Sequence, residues 1–350
     1  MALETVTGLT LCRRTISLLD GNRAPGPSRS ASSRSIAAIW AILLSLSMRD
    51  QSSAIVVDTV AVHRRGQGTA LAFLGVLAFS GSFPGTVHAM QGFDPWLVAI
   101  GRAAVAGVLA LTCLAATGTP LVPPRAHWPS YALISLGVVF GFPLFSGLAL
   151  DLGASTAHAA VVTGLLPVAT AVCAVLRAAE RPRPLFWAAC TAGALAITAF
   201  TLIQHQGRPS WPDLLLLGAL GSAAIGYTEG ARLSRRIPGW QVISHALVFS
   251  LPVTVPVSAV LALTTPISPS GPALAGFAYV SAISMFLGFI PWYAGLARGG
   301  IARAGQTQLV QPLLTLVWAW FLMGERFGPP TVVAALAVLV CVAVTQRART

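Results

Sequence analysis

The chain has 350 residues, of which 55% are hydrophobic and 9% charged, against about 25% charged residues in an average soluble domain. So little charge cannot clothe a solvated surface, which excludes an ordinary soluble domain and points to an integral membrane protein. The net charge is +12 and every basic residue is Arg; these arginines sit in short loops between apolar runs, so they read as orientation in a membrane and not as a nucleic-acid surface.

Residues 1–66 stand apart. They carry Ser- and Arg-rich stretches such as "RAPGPSRSASSRS", and the apolar segment Ile36–Met48 is shorter than the roughly 20 residues a crossing needs. This part reads as a disordered cytoplasmic tail or as the product of a start assigned ahead of Met48. From residue 69 apolar runs follow one another, and ten helices are predicted at about 70–89, 96–116, 131–150, 155–177, 185–203, 212–232, 240–263, 272–296, 304–323 and 330–345. The punctuation between them is rich in Pro and Gly: "ERPRP", "QGRPSWPD", "RRIPGW" and "GERFGPP" all break helices. Helices are the expected element because backbone polar groups inside a bilayer must be satisfied without water, and the runs are too long for barrel strands. With the N-terminus inside, thirteen arginines from Arg64 onward fall on the cytoplasmic side and two, Arg208 and Arg326, on the other, which predicts N-in and C-in.

The chain also repeats. An offset of 145 residues lays Pro167 on Pro312, Glu180 on Glu325, Arg181 on Arg326 and Pro184 on Pro329, with Thr170 on Thr315 among further matches. Apolar helices aligned by chance would match Ala and Val, but not Pro, Glu, Arg and Pro together. The predicted core is therefore two halves of five helices, 70–203 and 212–345. Five is odd, so the second half crosses in the opposite sense, an inverted repeat with a substrate site near the midplane between the halves.

The paired "P-x12-E-R" arrangement, Arg102 in "VAIGRAAVAGVLAL", and "YTEGARLSRR" after the sixth helix resemble the EamA family of the drug/metabolite transporter superfamily. The resemblance covers roughly 70–346. It implies a multi-pass permease of the bacterial inner membrane that moves small metabolites, amino acids or toxic compounds by alternating access. In such a protein helices 1–4 and 6–9 surround a central cavity. The chain departs from the pattern in its long N-terminal extension and in Ala178-Ala179, where a Gly commonly precedes the Glu.

Polar groups inside apolar helices are the functional candidates. Arg102, in the second helix, is placed to meet an anionic substrate or to snorkel to an interface. Glu229 is placed either to couple protons or to pair with Arg232. In the ninth helix Gln306, Gln308 and Gln311 are followed by Thr315, and the spacing puts 308, 311 and 315 on one face. That face reads as a cavity wall or as interhelical hydrogen bonding, with Thr163 and Thr170 as its milder mates in the fourth helix. Pro167 and Pro312 free carbonyls and predict kinks. Tyr227, Trp292 and Tyr293 read as cavity walls or interfacial anchors. His88, His158 and His245 lie near predicted helix ends.

No P-loop, Gly-x-Ser-x-Gly or H-E-x-x-H motif is present. The five cysteines form no C-x-x-C pair, and neither cofactor nor metal is called for. The expected function is secondary transport of small metabolites, whether amino acids, related compounds or drugs, in the export direction, by a protein that is not an enzyme. The expected partners are membrane lipids and a small-molecule substrate, with no nucleic acid and with a homodimer left open. An intramembrane enzyme on lipid-linked substrates and a non-transporting receptor or assembly factor are the rival readings.

Overall fold

Several of the helices start where the sequence supplies a side-chain cap. In the computed structural model, which describes residues 59–178, 210–299 and 305–349 with scattered positions between 184 and 199, the chain enters as α1 (Thr59–Ser80) and α2 (Ser82–Met90). Asp94 then accepts from the amides of Trp96 and Leu97, and Pro95 supplies a fixed first helical residue for α3 (Pro95–Ala116). The third span joins α4 (Trp128–Ile134), a π-helical stretch Ser135–Gly141 and α5 (Phe142–Asp151). The fourth is α6 (Thr156–Thr163) and α7 (Leu166–Ala178). The helix α8 (Trp211–Leu233) opens on a reciprocal capping box between Ser210 and Asp213. It is followed by α9 (Gly239–Thr264), then by α10 (Gly271–Ala278), a second π-helical stretch Tyr279–Leu287 and α11 (Phe289–Gly299). The last helical stretches are a 3-10 stretch Gly305–Val310 leading into α12 (Gln311–Met323), and α13 (Pro329–Arg349). Gly324 ends α12 with φ of 65°, a left-handed cap that a residue without Cβ takes at least cost.

Among the described residues all regular structure is helical, and seven stretches are long and apolar enough to cross a membrane. All of these residues belong to one unit, Leu46–Thr350. Glu180, Arg181 and most of the predicted fifth helix lie outside the described residues. The helix α1 begins at Thr59, inside the segment assigned to the tail, although the part apolar enough to span begins only at Gln67. Hydropathy marks the limit of the hydrocarbon, whereas the backbone ladder runs on through Ala61, Arg64 and Arg65, good helix formers that need no apolar surroundings.

Helices approach through small residues, as expected where lipid offers no hydrophobic drive between them. A Cβ added at Gly295 of α11 would lie 2.5 Å from the Ala72 amide nitrogen of α1. One added at Gly137, in the first π-stretch, would lie 2.5 Å from the Ser222 carbonyl oxygen and 2.8 Å from the Gly226 nitrogen of α8. The outward faces are apolar: Val253, Val260 and Leu263 of α9 and Val317, Trp320 and Phe321 of α12 are exposed. Pro252 and Pro256 lie inside α9, where neighbouring turns of a membrane helix can re-satisfy the freed carbonyls.

The 145-residue offset also relates irregularities of the backbone. It carries Leu166-Pro167, where α7 starts, onto Gln311-Pro312, where α12 starts, and it carries Ser135–Gly141 into Tyr279–Leu287.

Candidate functional site between the halves

The breaks and widened turns gather round one cavity. Phe79 and Ser82 flank the break between α1 and α2, Phe142 follows the first π-stretch, and Ser284 lies in the second; all four line the cavity. Arg102 of α3, Tyr227 of α8 and Gln311 at the start of α12 complete its polar wall. Both halves of the chain thus contribute. In this conformation the side chains nearly fill the space: about 20 Å³ is free for the centre of a water-sized sphere, room for about one water.

The polar contacts inside it are specific. The Ser82 and Ser284 hydroxyls lie 2.6 Å apart, and Arg102 Nη2 donates to Ser284 Oγ at 3.2 Å. Arg102 is 3% exposed, and its Nε is buried with no hydrogen-bond partner. It therefore does not snorkel. The described carboxylates are placed elsewhere. Asp94 caps α3; Asp213 is with His158 and Ser210; Glu229 accepts from Ser130 at 2.7 Å and from Arg232 at 2.8 Å; Glu325 caps α6; Asp151 is exposed at the end of α5.

Aromatic rings close the remaining walls. Phe79 and Phe289 have centroids 4.7 Å apart, and Phe79 stacks near Tyr227 at 6.2 Å with 24° between planes. Trp292 and Tyr293 are buried behind this layer and do not line the cavity: Trp292 packs against Tyr227 at 5.5 Å, and the Tyr293 hydroxyl approaches the Gly226 carbonyl at 3.5 Å. They are core residues here, since neither reaches an interface.

The polar face of the ninth predicted helix is divided among several tasks. Gln311 lines the cavity. Gln308 is 3% exposed with its amide nitrogen unpartnered. Thr315 donates to the Ser80 carbonyl at 2.8 Å, and Trp318 Nε1 donates to Ser80 Oγ at 3.0 Å, so α12 holds the break between α1 and α2. Gln306 falls in the 3-10 stretch. Of the mates in the fourth span, Thr163 bonds back to the Ala159 carbonyl, and the Thr170 hydroxyl is buried without a partner. Pro167 and Pro312 each sit near the start of a helix, not inside one.

At both ends of the bundle, polar contacts join the two halves. At the end where α6 starts, the Glu325 carboxylate accepts from the amides of Thr156 and Ala157 at 3.0 and 3.1 Å, and His158 Nε2 lies 2.7 Å from Asp213 Oδ1. At the other end, Ser130 meets Glu229, and His245 Nε2 meets the Pro120 carbonyl at 2.8 Å. The carboxylate of Glu325 thus satisfies orphan helix amides and complements the positive end of the α6 dipole. Glu325→Gln is expected to cost about 1–2 kcal/mol, read as a lowered melting temperature in detergent; an unchanged melt would show that these amides find another acceptor.

Ser82 and Ser284 were not singled out in the sequence, being uncharged hydroxyls in apolar runs. One signal was available for Ser82: the 145-residue offset lays it on Tyr227, and both line the cavity. A second cavity of about 330 Å³ lies between α2, α10 and α12 and is lined by Gly85, His88, Tyr279 and Trp318. It lacks the converging polar groups that orient a small ligand.

The chain is similar to several known proteins. A protein of Bacillus subtilis named as the uncharacterized transporter YdeK is 47% identical over 283 residues, covering 79% of this chain and 95% of that one. A Chlamydia trachomatis protein named S-adenosylmethionine/S-adenosylhomocysteine transporter is 27% identical over 277 residues, covering 74% of this chain and 83% of its own. One solved crystal structure superposes with a TM-score of 0.59 at 20% identity, over 79% of this chain and 97% of that chain, a likeness of fold. The model of the EamA-like transporter family matches twice, at residues 66–202 and 210–346. With a twofold family match that spans most of the chain, and helices fit to cross a bilayer on either side of a shared cavity, this chain belongs to the EamA-like transporter family.

Proposed function

We propose that the chain is a secondary carrier of the bacterial inner membrane that moves small metabolites, amino acids or compounds built on them, by alternating access at the central cavity. The observation that carries this reading is the cavity itself: polar side chains from both halves converge on it, and the helices around it are broken or widened there. Discontinuous helices at a repeat interface expose backbone groups where they can meet a solute instead of lipid. The contacts at both ends of the bundle and the small free volume fit a closed form of the cycle, from which either end would open by parting one set of contacts.

The topology we assign is ten spans in two inverted five-helix repeats, 70–203 and 212–345, with both termini inside and residues 1–66 ahead of them. The arginine count and the 145-residue offset support it. Export is the direction suggested by the family resemblance, and a gradient supplies the energy, since no nucleotide-binding motif is present. The relatives named as S-adenosylmethionine/S-adenosylhomocysteine transporters support a substrate with an amino-acid moiety. Relatives named as transporters also favour a carrier over an enzyme.

Gln311→Ala tests the site. Gln311 offers both an amide donor and a carbonyl acceptor to the cavity. In inside-out vesicles that carry one protein or the other at equal membrane abundance, the variant is expected to transport about tenfold more slowly than wild type, the equivalent of about one lost hydrogen bond. Gln308→Ala is the companion, since its unpartnered amide is buried one turn away. Normal transport by both would remove this face from the site.

A further inference from the structure

We propose that Arg102 is the anion anchor of the central cavity, and that the transported compound carries a carboxylate which completes its hydrogen bonds. This deepens the carrier reading above and rests on it. A guanidinium held 3% exposed inside a membrane protein demands compensation, because burying an unpaired charge is among the most expensive acts in a fold. Among the described residues Arg102 has one hydrogen bond, to the neutral Ser284 hydroxyl, and no carboxylate partner. Its Nε has none. Of the five described carboxylates, Asp94, Asp213, Glu229 and Glu325 are held by the contacts set out above, and Asp151 is exposed at the end of α5.

The surroundings fit an incoming anion. Ser82 and Ser284 share a 2.6 Å hydroxyl contact in which one proton is free to turn toward a guest. Tyr227 and Gln311 add a phenol and an amide to the lining. Arg is suited to this task because its planar fork matches two carboxylate oxygens, whereas Lys offers a point charge. The rings of Phe79, Tyr227 and Phe289 leave an apolar wall for the rest of the molecule.

The test uses the purified full-length chain and matched pairs of probes: phenylalanine and phenylalaninamide, glutamine and its α-amide, S-adenosylhomocysteine and its carboxamide. Melting temperature against concentration reads binding by mass action. At least one acid is expected to stabilise the wild-type chain while its amide does not. Arg102→Gln is expected to weaken that acid about 10- to 100-fold and to abolish the preference over the amide. If Arg102→Gln does not fold, Arg102→Lys keeps the charge without the fork and is expected to weaken the acid about tenfold. Amides that bind as well as acids would overturn the proposal, as would a preference for acids that survives in the variants. A wild-type chain stabilised by no acid would overturn it too. In that last case, flux of neutral or cationic solutes through proteoliposomes made with the same chain would show that the carrier reading stands without the anchor.

Discussion

Asp213→Ala is expected to lower the melting temperature of the purified chain more than any single substitution at the cavity. Asp213 does two things at the start of α8. Its Oδ2 accepts from the Ser210 amide at 2.9 Å and from the Ser210 hydroxyl at 2.7 Å, closing the capping box. Its Oδ1 lies 2.7 Å from His158 Nε2 across the boundary between the halves. Both side chains of that pair are almost fully buried, at 6% and 7% exposure. Removing the carboxylate strips the cap and leaves the imidazole enclosed without its acceptor. Breaking a buried pair from one side costs about 3–5 kcal/mol, because the partner cannot recover its hydration. Asp213→Asn retains a carbonyl acceptor and the shape of the side chain, so its loss should be less than half as large. A thermal melt of the three proteins in one detergent is the measurement. Equal stability of Asp213→Ala and wild type would show that water replaces the carboxylate, and that the two halves are not held at this point.

Gly137→Ala is the second large effect, and it acts by crowding. The added methyl would meet the Ser222 carbonyl oxygen at 2.5 Å, and Gly226 N and Cα at 2.8 and 2.9 Å. All three are backbone atoms, so no rotamer change relieves the contact. The π-stretch of the third span must move away from α8. Overpacking of this kind costs about 1–3 kcal/mol. Transport should fall further than stability does, because Val138 and Tyr227, on the two elements forced apart, both line the cavity. Gly147→Ala is the control: nothing lies within 4 Å of its added methyl, in the same span. A Gly137 variant that melts and transports like the Gly147 variant would mean that α8 and the third span are not in close contact in the working protein.

Much of this fold was legible because helix ends are written in local chemistry. Asp94-Pro95, the Ser210–Asp213 box and Gly324 are short-range signals, and the predicted boundaries fall close to them. Arg102 was conspicuous for the same reason that it matters: a charge stands out in an apolar run. The hydroxyl pair was not legible, since Ser82 and Ser284 are 202 positions apart and nothing in either run announces the other. The Glu-Arg dipeptide after α12 was plain as a helix ending, but the other half of the chain holds what its carboxylate binds: the amides of Thr156 and Ala157. Aromatic residues illustrate a further limit. Tyr227 and Trp292 look alike in an apolar helix, and only packing separates the ring that faces the cavity from the ring behind it. Early entry into α1 was missed because hydropathy reports the solvent around a helix, not the helix.

The two π-helical stretches bear on the history of the chain. A π-turn holds one residue more than the α-turn it replaces. Two separate single-codon insertions would have to strike equivalent places by coincidence; one insertion ahead of the duplication that the twofold family match records accounts for Ser135–Gly141 and Tyr279–Leu287 at once. On this account the widened turn is older than the joining of the halves. The two stretches share the widened turn but not the residues: Ser135-Leu136-Gly137 stands opposite Val280-Ser281-Ala282, so at least one copy has changed its side chains while the backbone kept the same distortion.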